Sequence, residues 1–476
     1  MEWLRELLRV TDVGFLVYFA MINTSYLILL ALASVEFGQH VRRAPFAGAD
    51  DMLSSPLTFP ITMIVPAYNE QAGIVAAVQA IAALEYPRFE IVVVDDGSTD
   101  GTFEQLQRHF GLVEVPRVVP SEVPTEGAVL SVHVAADNPD GLVVIRKVNG
   151  GKADALNVGI NAAQHPLLCM VDADSILDPK SLLAVAKPFA DDPIRVVATG
   201  GVVRIANGCR VVGGRIVEAR MPTQWLPRIQ VVEYLRAFLM GRAGWSRVGG
   251  LVVISGAFGL FRRDLVVQVG GMALDTVGED AELVVRLHRY LRTHVDDYRI
   301  VFVSEPVSWS EAPATVRTLG RQRRRWHRGL AEILYRHRQM LGRPRYGMVG
   351  TVALPWYLLF ELLAPLIELA AVFLVPAGLI VGVINVSFAW RFVLVAYGYA
   401  LMISLAALLL EELSFHRYPR MRDLGIGVAA AVAENIGYRQ LMALWQAAGI
   451  LDAVWQRRRV WGDHTRQGFG DPGSPG

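Results

Sequence analysis

The residues best placed to do chemistry in this chain are carboxylates that are close in sequence: Asp95-Asp96, Asp172-Ala173-Asp174 and Glu279-Asp280. Alternate residues of a strand point the same way, so an Asp-x-Asp leaving a strand can turn both carboxylates onto one cation. Hard divalent cations, Mg2+ or Mn2+, take oxygen ligands and neutralise a diphosphate. Asp172 and Asp174 are therefore candidate metal ligands, with a solvated turn as the plain alternative. Gly278-Glu279-Asp280 opens the helical run AELVVRLHRYL. There the acids either complement the helix dipole, or Asp280 takes a proton from an attacking hydroxyl as general base. Asp95-Asp96-Gly97-Ser98 reads equally as a strand-to-helix turn with its cap. Gly150-Gly151-Lys152 precedes a further helix, where free N–H groups, the helix dipole and the Lys can together hold phosphate. It is not a Walker loop, because the spacing and the following Ser or Thr are missing. Residues 317 to 328, RTLGRQRRRWHR, hold six Arg around Trp326 and His327; such a run suits a solvated face, a headgroup anchor or an anion-binding surface.

The elements that must position these residues follow from the apolar pattern. Strand-like runs at 61–65, 90–94, 142–146 and 167–171 alternate with helical stretches at 71–84, after Ser98 and from 152. This is the pattern of a parallel sheet with crossover helices. Ligands of such sheets lie at the carboxyl ends of the strands, where Tyr68-Asn69-Glu70, Asp95-Asp96 and Asp172-Ala173-Asp174 fall. No G-x-G-x-x-G follows the first strand, which argues against a dinucleotide-binding dehydrogenase. Residues 111–140 interrupt the pattern without an evident role.

An apolar share of 53% exceeds that of ordinary soluble domains, and part of the chain is expected in lipid. Residues 13–35 carry no charge and are followed by His40, Arg42 and Arg43, which predicts a membrane anchor whose C-terminal end is inside rather than a cleaved signal. The expected organisation is an N-terminal anchor (1–43), a linker (44–58), a catalytic α/β domain (59–315), an Arg-rich amphipathic interface segment (316–346), a C-terminal membrane region (347–455) and a cytosolic tail (456–476). Two crossings near 366–388 and 391–411, with 347–363 and 424–450 along the interface, keep the Arg of 411–423 and Arg457 to Arg459 inside. Lys and Arg (46) balance Asp and Glu (45), so no nucleic-acid partner is expected. Two cysteines, Cys169 and Cys209, form neither a disulfide framework nor a zinc spacing.

In order, PAYNE (66–70), DDGS (95–98), GGKADALN (150–157), DAD (172–174), SGAFGLFRRD (255–264), GED (278–280) and QRRRW (322–326) resemble the family-2 inverting glycosyltransferases. More narrowly they look like the processive, membrane-embedded branch of cellulose, chitin-oligosaccharide, poly-N-acetylglucosamine and hyaluronan synthases. The resemblance covers residues 59 to 330. It implies a GT-A, Rossmann-like nucleotide-sugar domain joined to an α-helical transmembrane region in the plasma membrane, with the catalytic domain cytosolic. It further implies donor contacts at Tyr68, Glu70, Asp95, Asp96, Lys152 and Asp172, metal contacts at Asp172 and Asp174, and Asp280 as base. Glu279, Gln322, Arg325 and Trp326 would meet the acceptor, for an aromatic face can stack on a sugar ring. The implied partners are a UDP-sugar, a polysaccharide or glycolipid acceptor, membrane lipid and accessory export proteins. Gly-Glu-Asp stands where some members have Thr-Glu-Asp, which keeps the carboxylates. A lipid glycosyltransferase adding a single sugar, and a non-catalytic nucleotide-sugar-binding protein, remain the alternatives.

Overall fold

A computed structural model describes residues 2–43, 49–212, 214–295, 297–415 and 420–455; the predicted tail and Arg457 to Arg459 lie outside the described residues. The main sheet has ten strands in the order β3-β4-β5-β2-β1-β6-β11-β8-β12-β7. They are β1 (Ile61–Ala67), β2 (Phe89–Asp95), β3 (Leu112–Val115), β4 (Val129–Ala135), β5 (Leu142–Lys147), β6 (Leu167–Val171), β7 (Ile176–Leu177), β8 (Val196–Ile205), β11 (Phe258–Arg262) and β12 (Arg299–Ser310). A separate two-stranded ribbon joins β9 (Arg210–Val212) to β10 (Arg215–Glu218).

The centre, β5-β2-β1-β6, is parallel as the sequence predicts. Its strands are buried along nearly their whole length because helices cover both faces. Met63 and Val65 face helices Ile74–Ala82 and Ser181–Asp191. Ile64 faces the helix Lys152–Ala162, hereafter the lysine helix. Gly159 lets that helix approach closely, since a Cβ there would lie 2.2 Å from Ile64 Cγ2.

The sheet is mixed rather than parallel throughout, and chain direction explains the difference. After β8 the chain stays at the carboxyl edge of the sheet, so β11 enters from that edge and runs antiparallel between β6 and β8, Phe258 opposite Val171. The unassigned segment 111–140 contributes β3 and β4, which extend the sheet antiparallel beyond β5.

Among the described residues three helical runs are long and apolar enough to cross a membrane: Val10–Gly38, Val349–Ile380 and Val386–Leu413. The first and third agree with the sequence reading. The second begins at Val349, not near 366, and a turn at 381–385, with Gly382 at φ 73°, separates it from the third. Residues 349–363 thus belong to the same helical run and not to a separate interfacial piece. Glu361 and Glu368 lie inside this run, and each has a partner: the Tyr26 hydroxyl donates to Glu361 at 2.7 Å, and Arg439 lies 3.0 Å from Glu368. Paired charges do not have to reach water, so the helix continues past them.

Candidate active site

The first polar turn follows β1. Asn69 adopts a left-handed backbone, φ 56°, which Asn tolerates better than most residues. Its side chain accepts the Thr99 N–H at 2.8 Å and its own N–H donates to the Ser98 hydroxyl at 3.0 Å. The Glu70 N–H donates to Thr102 Oγ1 at 2.9 Å. PAYNE is therefore latched to the turn after β2, and Tyr68 is left 46% exposed beside it. Asp95 is buried and accepts the Ser98 N–H at 3.1 Å, the work of a turn-forming Asp.

Asp96 is buried beneath the Gly150-Gly151 loop, accepting the two N–H groups at 2.9 and 2.8 Å and contacting Lys147. The loop amides that the sequence offered to phosphate are thus turned onto Asp96. Burial pushes the Asp96 carboxyl above its ordinary range, against the pull of Lys147 and the two amides. Lys147 has no exposed surface; it also meets Asp154 at 2.7 Å and the Val148 carbonyl at 2.6 Å. All three ammonium protons therefore have acceptors.

Three buried polar residues of the lysine helix, Asp154, Asn157 and Asn161, share one face. Asp154 accepts the N–H groups of Glu126 and Gly127 at 2.6 and 3.0 Å. Asn161 accepts those of Glu122 and Val123 at 2.9 and 2.8 Å. Asn157 donates to the carbonyls of Pro124 and Met272 at 2.8 and 3.0 Å and accepts the Met272 N–H at 2.7 Å. Residues 122–127 are therefore a strap across the lysine helix, and the chain leading to Asp280 is tied to the same helix. Lys147, Asp154 and Asn157 were missed by sequence reasoning; the only signal was three polar residues in an otherwise buried helix.

At the N-terminus of that helix Lys152 contacts Asp172 and lies 3.8 Å from Glu279. Burial acts to lower its pKa, but Asp172, Glu279 and Asp280 outweigh it and hold the ammonium above its ordinary value. Asp280 accepts the Gly256 N–H at 2.9 Å and the Ala281 N–H at 2.8 Å. A Cβ on Gly256 would stand 3.2 Å from Asp280 Oδ2 and 3.4 Å from Lys152 Nζ. The structure thus gathers Asp172 and Glu279 on Lys152, and Lys152 and Asp280 about Gly256, a glycine of the SGAFG motif. Asp174 follows in the same half-buried turn, closed by the Ser175 N–H on the Asp172 carbonyl at 3.0 Å.

Among the described residues no three His, Cys, Asp or Glu side chains cluster as a complete metal cage. Two carboxylates, with diphosphate and water completing the shell, suit Mg2+ or Mn2+ and do not suit a structural zinc.

Glu279 is buried, and burial pushes its carboxyl up to about 7; Lys152 opposes this, Asp280 adds to it, and Arg325 is near enough to oppose it as well. Such an acid keeps its proton in the folded state where the unfolded chain has released it. The associated stability is fully present below about pH 4.5 and is lost as pH rises through about 7, up to roughly 3 kcal/mol. Glu279→Gln mimics the neutral acid. Melting temperatures of the two proteins should therefore diverge between pH 4.5 and 7, wild type falling relative to the variant, and stay parallel above; parallel curves throughout would show that Glu279 titrates normally.

The Arg-rich run forms a helix, Val316–Arg336, capped by the Thr315 hydroxyl. It crosses the GED turn where two glycines meet: a Cβ on Gly329 would lie 3.2 Å from Gly278 Cα. Glu332 fastens the crossing, accepting from Thr276 Oγ1 at 3.0 Å and the Val277 N–H at 3.1 Å. Successive residues of a helix diverge by about 100°, and the three Arg of QRRRW go three ways. Arg323 turns inward to Glu233, Arg324 pairs with Asp452, and Arg325 acts on Glu279. Gln322 Oε1 is buried and accepts no hydrogen bond among the described residues, while Trp326 is 43% exposed.

Comparison with known proteins bears on this geometry. Residues 62–268 match the family described as "Glycosyl transferase family 2", and residues 167–410, more than half the chain, match "Glycosyl transferase family group 2". Among curated proteins the chain is similar to the poly-beta-1,6-N-acetyl-D-glucosamine synthase of Staphylococcus epidermidis, 28% identical over 276 residues. The enzyme of the same name from Staphylococcus aureus (strain COL) is 29% identical over 276 residues. In each case the match takes in 58% of this chain and 56% of the relative, so the chain spans little more than half the length of the curated relatives it matches. Among solved structures, the mannosyltransferase PcManGT of Pyrobaculum calidifontis, in complex with GDP-Man and Mn2+, aligns with a TM-score of 0.51 and 18% identity. That alignment covers 92% of this chain and 100% of the other, a likeness of fold.

Proposed function

The chain belongs to the family-2 glycosyl transferases, and on that premise we propose that it transfers a sugar from a UDP-sugar, with inversion, to a growing polysaccharide. The relatives' names support N-acetylglucosamine as the sugar and a β-1,6-linked polymer as the product. The observation that carries the reading is that Lys152 joins the two carboxylates the chemistry needs: it contacts Asp172, the first acid of Asp-Ala-Asp, and it meets Asp280 across Gly256, where a Cβ would stand 3.2 Å from Asp280 Oδ2 and 3.4 Å from Lys152 Nζ.

In this mechanism Asp280 accepts the proton of the acceptor hydroxyl as its oxygen bonds to the anomeric carbon. The bond from that carbon to the diphosphate breaks on the opposite side, and its electron pair leaves with UDP. Lys152, now paired with Asp172, turns to the leaving diphosphate, and Arg325 joins it from the Arg-rich helix. A divalent cation held by Asp172 and Asp174 would neutralise charge developing on the leaving group. Tyr68, Glu70, Asp95 and Asp96 shape the donor end, the first by its exposed ring and the others through the latched turns. Gln322 and Trp326 receive the acceptor. The three apolar runs anchor the protein in the plasma membrane with the catalytic domain on the cytosolic side, the N-terminus outside and lipid around it. Retention of the polymer between additions and its passage outward, alone or with accessory proteins, complete the proposal.

If the Asp-Ala-Asp carboxylates hold the cation, excess chelator should stop UDP release and Mg2+ or Mn2+ should restore it. Full activity in chelator would remove the metal from this scheme.

A further inference from the structure

Among the charges of the Arg-rich helix that neither the donor nor the base uses, Arg323 stands next to Trp326. Arg323 is buried, 6% exposed, and its guanidinium lies 4.5 Å from the centre of the Trp326 ring. A buried guanidinium must be paired, and here Glu233 of the helix Trp225–Leu235 accepts from Arg323 Nη2 at 2.8 Å. The same Glu233 oxygen accepts the Tyr438 hydroxyl at 2.9 Å.

Tyr438 reaches that point because the C-terminal helical pair is broken just before it. Ile436 (φ −110°, ψ 96°) and Gly437 (φ 82°) leave helical geometry. Only glycine takes the second conformation without strain, and the Gly437 N–H is capped by Gln440 Oε1 at 2.9 Å. The break is thus a satisfied feature rather than a defect. The following helix, Arg439–Val454, presses against the Arg-rich helix through two more glycines: a Cβ on Gly320 would lie 2.7 Å from the Trp445 ring, and one on Gly449 2.4 Å from the Arg324 carbonyl. Beside this contact Arg236 is held by Glu434 at 2.9 Å and by Ser404, within the third apolar run, at 2.8 Å.

We propose that Arg323 is a positioning residue, clamped by Glu233 and Tyr438, that sets the angle of the Trp326 ring and so lets the helix break at Ile436–Gly437 determine how the acceptor sugar is seated. This rests on the reading that Trp326 meets the acceptor. Arg323 itself touches no substrate. A cation under the ring both fixes its tilt and leaves the opposite face open for a sugar.

The test is a double-mutant cycle in the purified full-length protein, with transfer to acceptor and donor hydrolysis measured separately. Arg323→Met should lower transfer about 3- to 30-fold, the range of such ring contacts, with the donor KM unchanged. In a Trp326→Ala background the same substitution should have no further effect. Tyr438→Phe, which removes a single hydroxyl, should give a smaller loss of the same kind, again absent in that background, and carries the cycle if Arg323→Met does not fold. Equal effects of either substitution in both backgrounds would overturn the positioning role, as would a raised donor KM. Trp326→Ala lowering hydrolysis as much as transfer is a different result, and it would overturn the acceptor reading itself.

Discussion

Asp280→Asn is expected to lower sugar transfer by about 10²- to 10⁴-fold, the usual contribution of a general base, while donor binding stays near wild type. The carboxylate is held by the N–H groups of Gly256 and Ala281, at 2.9 and 2.8 Å. An amide oxygen can keep one of these, so the side chain should stay in place. What it loses is the ability to take a proton. The proposed donor end, Tyr68, Asp95, Asp96 and Lys152, does not include the residue that Asn replaces. Initial rates with saturating acceptor, alongside calorimetric donor binding, check both halves. Undiminished turnover would show that another group takes the proton.

Gly329→Val should be nearly as damaging although it touches neither substrate. The added Cβ would lie 3.2 Å from Gly278 Cα and 3.3 Å from Gly278 N, and a valine adds two methyls beyond it. Those neighbours are backbone and cannot rotate away, so the Arg-rich helix must move off the GED turn. A displacement of about 1 Å between reacting groups costs on the order of 10²-fold in rate. Gly425→Val is the control, because a Cβ there meets nothing within 4 Å. Transfer should fall in the first variant and stay near wild type in the second; equal activity in both would mean that the Gly278–Gly329 contact does not set the site.

The sequence showed most of the parts and few of the joins. Apolar runs ending in polar clusters marked β1, β2 and β6 and the turns after them, since burial and turn chemistry are local properties. Strand direction is not local: β11 lies within SGAFGLFRRD, a motif that carries no mark of direction, and its antiparallel entry depends on where the preceding fifty-odd residues leave the chain. Burial of polar groups is no more legible. Asp96 looked like a ligand contact or a cap, but its partner Lys147 stands 51 residues away, and the loop amides it holds were offered to phosphate instead. The second apolar run starts earlier than the positive-charge rule placed it, and the partners of its two acids, Tyr26 for Glu361 and Arg439 for Glu368, lie far off in the chain. The strap at 122–127 had no reading at all, for its contacts are made by backbone amides that carry no sequence signature.

The most direct test is to purify the protein in detergent with Mg2+ or Mn2+, supply a panel of UDP-sugars one at a time, and follow UDP release together with the size and linkage of the product. The account predicts that UDP-N-acetylglucosamine is turned over in preference to the others and is built into long β-linked chains beside unused acceptor. Turnover of no UDP-sugar, or a product that stops at a single sugar on a lipid acceptor, would contradict it.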